Sequence, residues 1–420
     1  MRMQKFQAVQ FLRIQLVAML VVFVGVAHAK SGETHQVWSK IKQLEYPSLP
    51  EDVGTNAEEL SRGLRPDSAM GRHWPLNNIG FFEAFTPLVQ PTISRVKSCS
   101  KDIVVAVVDT GIDYTHPELK QNIWVNKGEV GAWTPKDLKS TACRDKRCNG
   151  IDDDHNGFVD DATGWDFVHN VPLPFDTHGH GTHIAGIIAS AAANGAGVSG
   201  VCPNVSIMAL KYYDNSVLGY NNLQNTVKAI EYAIRNGAQI INYSGGGSDP
   251  APIEAMAVKK AGEKGILFVA ASGNDGRNND WMPYYPASYE LDNIISVASL
   301  DQANKLLSSS NYGKKTVDMA APGLGILSTL PSSRFGTMSG TSQATAFVTG
   351  AAALLASQQP SRFDYAKVRS WLLRSSGDIN GGRTKKFMTA GTLQVGEALR
   401  LQMKEMYGIS APAVAKIQKK

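Results

Sequence analysis

Short apolar runs alternate with amphipathic stretches between residues 102 and 299 of this 420-residue chain. Five of the runs are almost continuously apolar, which is typical of strands buried on both faces of a parallel sheet. They are DIVVAVVD (102–109), VSIMALKYY (205–213), AQIINYS (238–244), GILFVAAS (265–272) and NIISVAS (293–299). Helical patterns occupy 183–193, 223–237, 253–265, 365–377 and 395–408. This alternation predicts an α/β fold, a three-layer α/β/α sandwich with a mainly parallel central sheet.

The predicted strands end in small or polar residues. Asp109 ends the first run, Ser244 and three glycines follow the third, and Ser272, Gly273 and Asn274 come at the end of the fourth. Functional residues of open parallel sheets collect at the carboxyl ends of the strands. The pattern therefore indicates a site at this edge, although turn chemistry alone produces part of it.

The N-terminus has the three parts of a secretory signal. A segment with basic residues (2–13) precedes an apolar run at 14–26, which ends at Ala27-His28-Ala29. We interpret residues 1–29 as a signal peptide cleaved after Ala29, the alternative being an uncleaved membrane anchor. The sequence thus predicts an exported protein, secreted or periplasmic, with no stable membrane association after cleavage.

The rest of the chain divides into three parts. Residues 30–70 are polar and irregular, and we interpret them as a short N-terminal leader or a reduced propeptide. Residues 71–403 show no repeat and no low-complexity linker, so we expect one large domain there, followed by a basic tail at 404–420. The formal net charge of +5 is mild and unclustered apart from the tail. Nothing therefore indicates a nucleic-acid partner, and we expect a monomer.

Export gives meaning to the four cysteines, Cys99, Cys143, Cys148 and Cys202. In an oxidising compartment an even number of cysteines suggests disulfides. Cys143 and Cys148 bracket a short polar loop and could close a small ring, which would leave Cys99 and Cys202 as the other pair. A zinc site is the alternative, but no second close pair of cysteines or histidines accompanies them.

Two further segments contain candidate catalytic residues. In FGTMSGTSQATAFVTGAAALLA (335–356), Ser342 lies where a polar loop meets a helical pattern, so it is either a common N-cap or a displayed nucleophile. In DTHGHGTHIAG (176–186), three histidines precede or begin a helical pattern. Their spacing does not match the i, i+4 pair of a zinc protease, and no H-E-x-x-H occurs. Incidental histidines at a helix start and a metal cluster are the alternatives to a catalytic histidine.

Three segments, taken in chain order, resemble the signatures of the subtilisin-type serine proteases, the subtilases. They are VVDTGID (107–113), HGTHIAG (180–186) and GTS (340–342). The order Asp, His, Ser is that of subtilisin itself. The resemblance spans about residues 74 to 400 and includes GVCPNVSIMALKYYD, INYSGGG, AASGNDG, YYPASY and VDMAAPG.

The resemblance implies hydrolysis of a polypeptide substrate through an acyl-enzyme intermediate, without a cofactor for catalysis. Ser342 would attack the peptide carbonyl, His180 would carry its proton to the leaving amine, and Asp109 would orient the imidazole. Asn274 and the backbone N–H of Ser342 would donate to the oxyanion. His183 matches a second histidine of the family, which is structural.

The resemblance also implies where substrate binds. The implied contact positions are Gly219, Ser244, Gly245, Gly246, Ser272 and Gly273. Residues 244–246 would pair with extended substrate backbone, Gly219 would lie on its other side, and residues 272–273 would line the pocket for the residue before the scissile bond. Gly245 stands where the family commonly has Leu, which leaves the shape of the pocket open.

The segment after Ser342 departs from the family pattern G-T-S-M-A-x-P-H-V-A-G. The replacements are Gln343 for Met, Ala346 for Pro, Phe347 for His and Thr349 for Ala. None of these positions performs the bond chemistry. Gln343 places a polar amide where an apolar side chain usually packs, so it requires a partner or solvent.

An acidic loop, NGIDDDHNGFVDDATGWDF (149–167), contains D-x-D-x-N-G. Asp152, Asp154 and Asn156 occupy the first ligand spacings of a calcium loop, and Asp160 falls at the ninth position. Thr163 replaces the bidentate Glu of the twelfth position, which argues against a full EF-hand. Because some subtilases have a similar loop, we hypothesise one structural calcium here; a solvated acidic turn is the alternative.

The leading functional hypothesis is an exported serine endopeptidase. The alternative is a catalytically silent subtilase-like binding protein. The intact set of Asp109, His180, Asn274 and Ser342 argues against the alternative, whereas the changes just after Ser342 keep it open. An ester hydrolase of the α/β-hydrolase type would need G-x-S-x-G and a serine preceding the histidine in the chain, and this sequence has neither.

Overall fold

The computed structural model describes residues 74–84, 99–132, 145–192, 194–215, 221–359, 362–378 and 387–408. The predicted signal peptide, the predicted leader, Cys143, Gly219 and the tail from residue 409 lie outside the described residues. None of the helices in the described part of the chain has both the length and the apolarity required to cross a bilayer.

The central sheet of the described residues has seven strands, and every pairing in it is parallel. Its strands are β1 (Val104–Asp109), β2 (Gly164–Asp166), β3 (Ser206–Lys211), β4 (Ile240–Tyr243), β5 (Leu267–Ala271), β6 (Ile294–Leu300) and β7 (Met319–Pro322). Their order across the sheet is β2-β3-β1-β4-β5-β6-β7. The five predicted runs form β1, β3, β4, β5 and β6, whereas the short edge strands β2 and β7 are not among them.

Two short helices precede the first strand, and the others lie between and after the strands. They are α1 (Trp74–Asn78), α2 (Phe81–Ala84), α3 (His180–Ala189), α4 (Asn222–Arg235), α5 (Pro252–Glu263), α6 (Thr341–Ser357), α7 (Tyr365–Arg374) and α8 (Val395–Tyr407). Single 3-10 turns occur at Lys120–Asn122, Lys127–Glu129 and Lys146–Cys148. An antiparallel hairpin of β8 (Ile326–Leu330) and β9 (Arg334–Met338) precedes α6.

Helices cover both faces of the sheet. Along β1, Val105 and Val107 belong to a core shared with α3, α6, α7 and α8, while Ala106 and Val108 belong to a second core shared with α4 and α5. This alternation follows from the two-residue period of a strand that is buried on both sides. The structure confirms the predicted three-layer α/β/α fold.

Helix α6 is buried along its whole length. It packs across β4, β5, β6 and β7, and its small residues allow close approach. An ideal Cβ on Gly350, for example, would lie 2.7 Å from Cβ of Val201. The helix begins at the carboxyl edge of the sheet, because the N–H of Gly340 donates to the carbonyl of Gly323, which directly follows β7 (2.8 Å). Ser342 is therefore held at this edge.

A disulfide joins Cys99 and Cys202, whose Cα atoms are 5.4 Å apart. The two cysteines precede β1 and β3, and the first residues of these strands, Val104 and Ser206, are partners in the sheet register. This is the predicted pair. Cys148 is also disulfide-bonded, and Cys143, its predicted partner, lies outside the described residues.

Candidate active site

The carboxylate of Asp109 contacts the imidazole of His180 at the end of β1. His180 Nδ1 donates to Asp109 Oδ1 over 2.7 Å, and the N–H of Thr110 donates to the same oxygen over 2.7 Å. Asp109 is 3% exposed, so its charge is poorly screened by water. Strand β1 thus presents a buried, oriented acceptor to a histidine 71 residues away in sequence.

The segment before His180 is organised by Asp176, which the sequence analysis did not single out. Asp176 is fully buried and accepts from the N–H groups of His178, Gly179 and Thr182 and from the hydroxyls of Thr110 and Thr182 (2.6–2.9 Å). It thereby satisfies donors at the start of α3, as an acidic residue near a helix N-terminus commonly does. The sequence feature that could have identified Asp176 is its position two residues before the first of the three histidines.

Close packing also fixes the distance between α3 and β1. An ideal Cβ on Gly181 would lie 2.1 Å from the carbonyl oxygen of Gly111 and 3.1 Å from Cβ of Asp109. Only glycine permits this approach, which is why the residue after His180 is glycine.

The electrostatics of the pair favour the protonated imidazole. Burial opposes protonation of His180, but the negative charge of Asp109 and the hydrogen bond to it outweigh burial. With a further contribution from Asp176, the pKa of His180 lies above its ordinary value. An imidazole of this kind can accept a proton and hold the resulting charge.

His183 has a different environment on the same helix. It is fully buried, and its Nε2 donates to the carbonyls of Ile326 (3.0 Å) and Gly336 (3.2 Å) in the β8–β9 hairpin. Burial lowers the pKa of His183 to about 4. It therefore stays neutral and ties α3 to the hairpin.

Ser342 lies in the first turn of α6 and is 7% exposed. Its Oγ donates to the carbonyl oxygen of Ser244 (3.3 Å), and within the described ranges Ser342 and His180 are not hydrogen-bonded to each other. Ser244 follows β4, which pairs with β1 next to Asp109. The hydroxyl thus lies at the strand edge that carries the Asp109–His180 pair. Hydrogen bonds between a catalytic serine and histidine often tighten only when substrate binds.

Asn274 presents one half of its amide to the same edge. Its Oδ1 accepts from the backbone N–H of Thr341 (2.9 Å) and from the Thr341 hydroxyl (3.2 Å). Since these donors require the oxygen, Nδ2 is the end that remains, and it forms no hydrogen bond with another described residue. A donor held in this way next to Ser342 suits a developing oxyanion.

Of the segments predicted to contact substrate, 244–246 and 272–273 belong to the described residues and lie next to this group. The hydroxyl of Ser272 donates to the carbonyl of Asn311 (3.2 Å), and the side chain of Asn311 bonds back to Ser272 O (3.0 Å) and to the N–H of Asp275 (2.9 Å). Asn311 is fully buried and was not singled out from the sequence. It fixes the loop that carries Gly273 and Asn274.

The residues that depart from the family pattern are buried in α6. Gln343 is 2% exposed, and its amide forms no hydrogen bond with the described residues. The hydroxyl of Thr349 donates to Asn242 Oδ1 (2.8 Å), and Asn242 Nδ2 donates to Ser244 Oγ (3.1 Å). The Thr349 hydroxyl is therefore hydrogen-bonded to a buried amide, which in turn contacts Ser244. Ala346 and Phe347 pack in the apolar core.

A separate acidic cluster contains Glu129, Asp152 and Asp154, with one carboxylate oxygen of each lying within 4.8 Å of the others. Glu129 is fully buried; its Oε1 accepts from the N–H groups of Asp153 (2.6 Å) and Asp154 (3.1 Å). Its Oε2 is buried and meets no hydrogen-bond donor in the described structure. Burial raises the pKa of Glu129 to about 7, and the charges of Asp161 and Asp154 add to the rise. These oxygens fit a hard cation such as calcium.

The cluster contains two of the four metal ligands predicted from the sequence, Asp152 and Asp154. Asp160, at φ +59°, directs its carboxylate to the N–H of Gly150 (3.0 Å). Asn156 accepts from the N–H of Phe158 (2.8 Å) through Oδ1 and turns its NH₂ toward Asp154 (3.2 Å). Glu129, which the sequence analysis did not name, joins Asp152 and Asp154 from a 3-10 turn outside the loop.

Four candidate residues lie at one edge of the sheet. Asp109 orients His180 and stabilises its protonated form, Ser342 places a hydroxyl at a helix start, and Asn274 places an amide donor beside it. A hydroxyl, a base and an oxyanion donor are the parts that acyl transfer requires.

Comparisons with known proteins agree with this geometry. A model of the subtilase family matches residues 100–399. A thermophilic serine proteinase of Bacillus sp. (strain AK1) is 37% identical over 280 residues, which cover 67% of this chain and 58% of that protein. Thermitase of Thermoactinomyces vulgaris is also 37% identical over 280 residues, which cover 67% of this chain and 83% of thermitase.

A solved structure supports the fold. Fervidolysin from Fervidobacterium pennivorans, a keratinolytic enzyme related to subtilisin, superimposes with a TM-score of 0.60 at 24% identity, covering 80% of this chain and 46% of its own. The family match covers more than half of the present sequence. The chain therefore belongs to the subtilase family of serine endopeptidases.

Proposed function

We propose that this chain is an exported serine endopeptidase that cleaves polypeptides through Asp109, His180 and Ser342. The observation that carries the proposal is the 2.7 Å contact between the buried Asp109 carboxylate and His180, placed at the sheet edge where α6 presents Ser342. Family membership supports the reaction class. Residues 71–403 would form the catalytic domain.

The reaction would proceed in two halves. Ser342 Oγ bonds to the peptide carbonyl carbon while its proton passes to His180 Nε2, and Asn274 Nδ2 and the N–H of Ser342 bind the oxyanion. His180 then gives the proton to the amide nitrogen, the C–N bond breaks, and the amine leaves an ester on Ser342. Water, deprotonated by His180, hydrolyses this ester and restores the serine. Asp109 holds one tautomer throughout.

The buried polar contacts below Ser244 support a positioned nucleophile. Ser244 Oγ donates to the carbonyl of Ser342 (3.4 Å), while Ser342 Oγ donates to the carbonyl of Ser244 (3.3 Å). This reciprocal pair fixes the start of α6 against the end of β4. A catalytically silent binding protein would have no need of the Asp109–His180 pair in addition.

A fluorophosphonate probe tests the proposal, because it reacts with a serine oxygen that a histidine has activated. We expect the folded protein to carry a single adduct, found by peptide mapping on the fragment containing Ser342. The heat-denatured protein is the control and should carry none, since the activation depends on the fold. Absence of label on folded, processed protein would favour the silent binding protein. Labelled protein that cleaves only esters would favour an ester hydrolase.

We infer from the N-terminal sequence that the protein is exported and processed. Residues 1–29 would direct export and be removed after Ala29, residues 30–70 would act as a short leader or reduced propeptide, and 404–420 would form a basic tail. The disulfide between Cys99 and Cys202 is consistent with an oxidising compartment outside the cytoplasm. The mature protein would act as a secreted or periplasmic monomer.

We also propose one structural calcium held by Glu129, Asp152 and Asp154. A bound calcium contributes charge compensation here and takes no part in the bond chemistry. The unpartnered Oε2 of Glu129 supports this, because a buried carboxylate oxygen without a donor is costly unless a cation or a proton satisfies it.

Calcium is expected to raise the melting temperature of the wild-type protein. At a free concentration 100 times Kd, binding stabilises by about 2.7 kcal/mol, which corresponds to about 4 °C in a domain of this size. Replacing Glu129 by Gln should abolish most of this response, whereas Glu290→Gln, at an exposed position, should keep it. A melting temperature that is the same in calcium and in chelator would contradict the site.

A further inference from the structure

The ring of Tyr284 lies between the two segments proposed to form the walls of the pocket for the substrate residue before the scissile bond. One wall is 244–246 and the other is 272–273. Tyr284 belongs to the loop that follows Asn274 in the chain, and its backbone N–H donates to Ser288 Oγ (3.1 Å). The next residue, Tyr285, exchanges two backbone hydrogen bonds with Gly247 (2.8 and 2.9 Å). The loop is thereby tied to the first wall.

The contacts of the ring with the two walls are close. An ideal Cβ on Gly246 would lie 2.6 Å from Cε1 and 3.0 Å from Cζ of Tyr284. An ideal Cβ on Gly273 would lie 3.0 Å from Cγ and 3.1 Å from Cδ2 of the same ring. The Cγ side of the ring therefore packs on Gly273 and its Cζ side on Gly246. A Cβ would also lie 2.3 Å from Tyr285 O at Gly246 and 2.4 Å from Asn311 Nδ2 at Gly273, so glycine at both positions preserves the packing of the ring and of these neighbours.

The backbone supports the same conclusion. Gly246 has φ +151° and Gly273 has φ +103°, a region that residues with a side chain rarely adopt. Both segments thus place glycine backbone, which has no side chain, against the ring of Tyr284. Tyr284 is half-buried, so part of its side chain is accessible to solvent.

A neighbouring tyrosine fills the space next to this pocket. An ideal Cβ on Gly245 would lie 2.2 Å from the hydroxyl oxygen of Tyr212. Gly245 is the position where the family commonly has Leu, and here the tyrosine takes the volume of that side chain. The 244–246 segment is therefore backed by tyrosine on two consecutive residues.

We propose that Tyr284 closes the pocket between 244–246 and 272–273, so that this protease selects a small residue, Gly, Ala or Ser, before the scissile bond. The inference rests on the proposed endopeptidase function and names the substrate class of the same site. A ring that spans both walls occupies the depth in which a large side chain would lie. The methyl group of Ala or the hydroxymethyl group of Ser is short enough to fit at the entrance of the pocket.

Paired peptide substrates that differ only in the residue before the scissile bond test this inference. The wild-type protein should cleave the Ala peptide with a higher kcat/KM than the Phe peptide. Tyr284→Ala should raise the Phe-to-Ala ratio of kcat/KM by at least about 10-fold, since each methylene that a pocket admits or excludes changes discrimination by about 10- to 200-fold. Tyr284→Phe keeps the ring and should keep the preference for Ala.

The outcomes separate this inference from the proposed function. A wild-type preference for Phe, or an unchanged ratio in Tyr284→Ala, would overturn the role of Tyr284 while leaving the endopeptidase in place. Failure of the wild-type protein both to cleave any peptide and to react with fluorophosphonate would instead remove the proposed function. If Tyr284→Ala does not fold, the wild-type profile across a peptide library still decides, because a pocket closed by the ring excludes Phe, Tyr and Leu. Tyr407→Ala, at an exposed and distant tyrosine, is the control for general effects of losing a tyrosine.

Discussion

Replacement of Ser342 by alanine is expected to lower kcat for a peptide substrate by about 10⁶-fold, the size of the corresponding loss in subtilisin itself. The reason is that Ser342 supplies the atom that attacks the substrate carbonyl carbon and carries the acyl group in the proposed mechanism. Asn274 and the substrate-binding segments would remain, so a residual acceleration of about 10³- to 10⁴-fold over water should survive. Burst kinetics with an activated ester should also lose the acyl-enzyme phase.

The same change should leave the fold intact. Among the described residues, Ser342 Oγ makes one hydrogen bond, to Ser244 O at 3.3 Å, and alanine is the better helix former. Losing such a bond costs about 1 kcal/mol of stability, which a thermal melt can measure beside the rate. Ser339→Ala, three residues earlier and exposed, is the matched control and should keep the wild-type rate. A Ser342→Ala protein that retained a substantial part of the activity would assign the attack to another group.

The alternation of apolar runs was sufficient to predict the layered fold. Strands β1, β3, β4, β5 and β6 are buried on both faces, so burial imposes an apolar pattern that can be read from the sequence. Edge strand β2 has the three residues GWD, and edge strand β7 has the four residues MAAP. Neither contains a β-branched residue, so neither shows the composition that identifies a strand.

The site residues were predictable to the extent that they belong to local motifs. Asp109 and His180 each lie in a recognisable segment, and the structure places them in contact. Asp176 and Asn311 are different, because their importance comes from hydrogen bonds to backbone groups in buried loops. No residue type or spacing announces such a role, since any buried loop needs some polar partner.

The acidic cluster and the closed pocket depend on contacts that are distant in sequence. Glu129 reaches Asp152 and Asp154 from a different turn, whereas Asp160, at the ninth position of the loop, directs its carboxylate to the N–H of Gly150. Tyr284 matters because two glycines, 38 and 11 residues earlier in the numbering, leave space for its ring. Sequence spacing identifies ligands and pockets only when one segment supplies them all.

Replacement of Asp109 by asparagine is expected to lower kcat by about 10⁴-fold, as the equivalent change does in serine proteases of another fold. An asparagine at this position can turn its NH₂ toward His180 Nδ1, which favours the tautomer with the proton on Nε2. That tautomer cannot accept a proton from Ser342. The geometry of β1 should be unchanged because the two side chains have nearly the same shape, so stability is the measurement that separates this effect from misfolding.

The Asp109→Asn variant should also change the pH dependence of kcat/KM. His180 must be neutral to accept the proton, so the rate falls as the pH drops through its pKa. Burial opposes protonation, but the charge of Asp109 and the hydrogen bond to it hold the pKa of His180 above its ordinary value of 6.5. Removing that charge should therefore move the acidic limb of the residual activity to lower pH. Asp275→Asn removes a surface carboxylate paired with Arg277. This control should not change the pH at which kcat/KM falls on the acidic side. An unchanged limb in Asp109→Asn would mean that another group sets the pKa of His180.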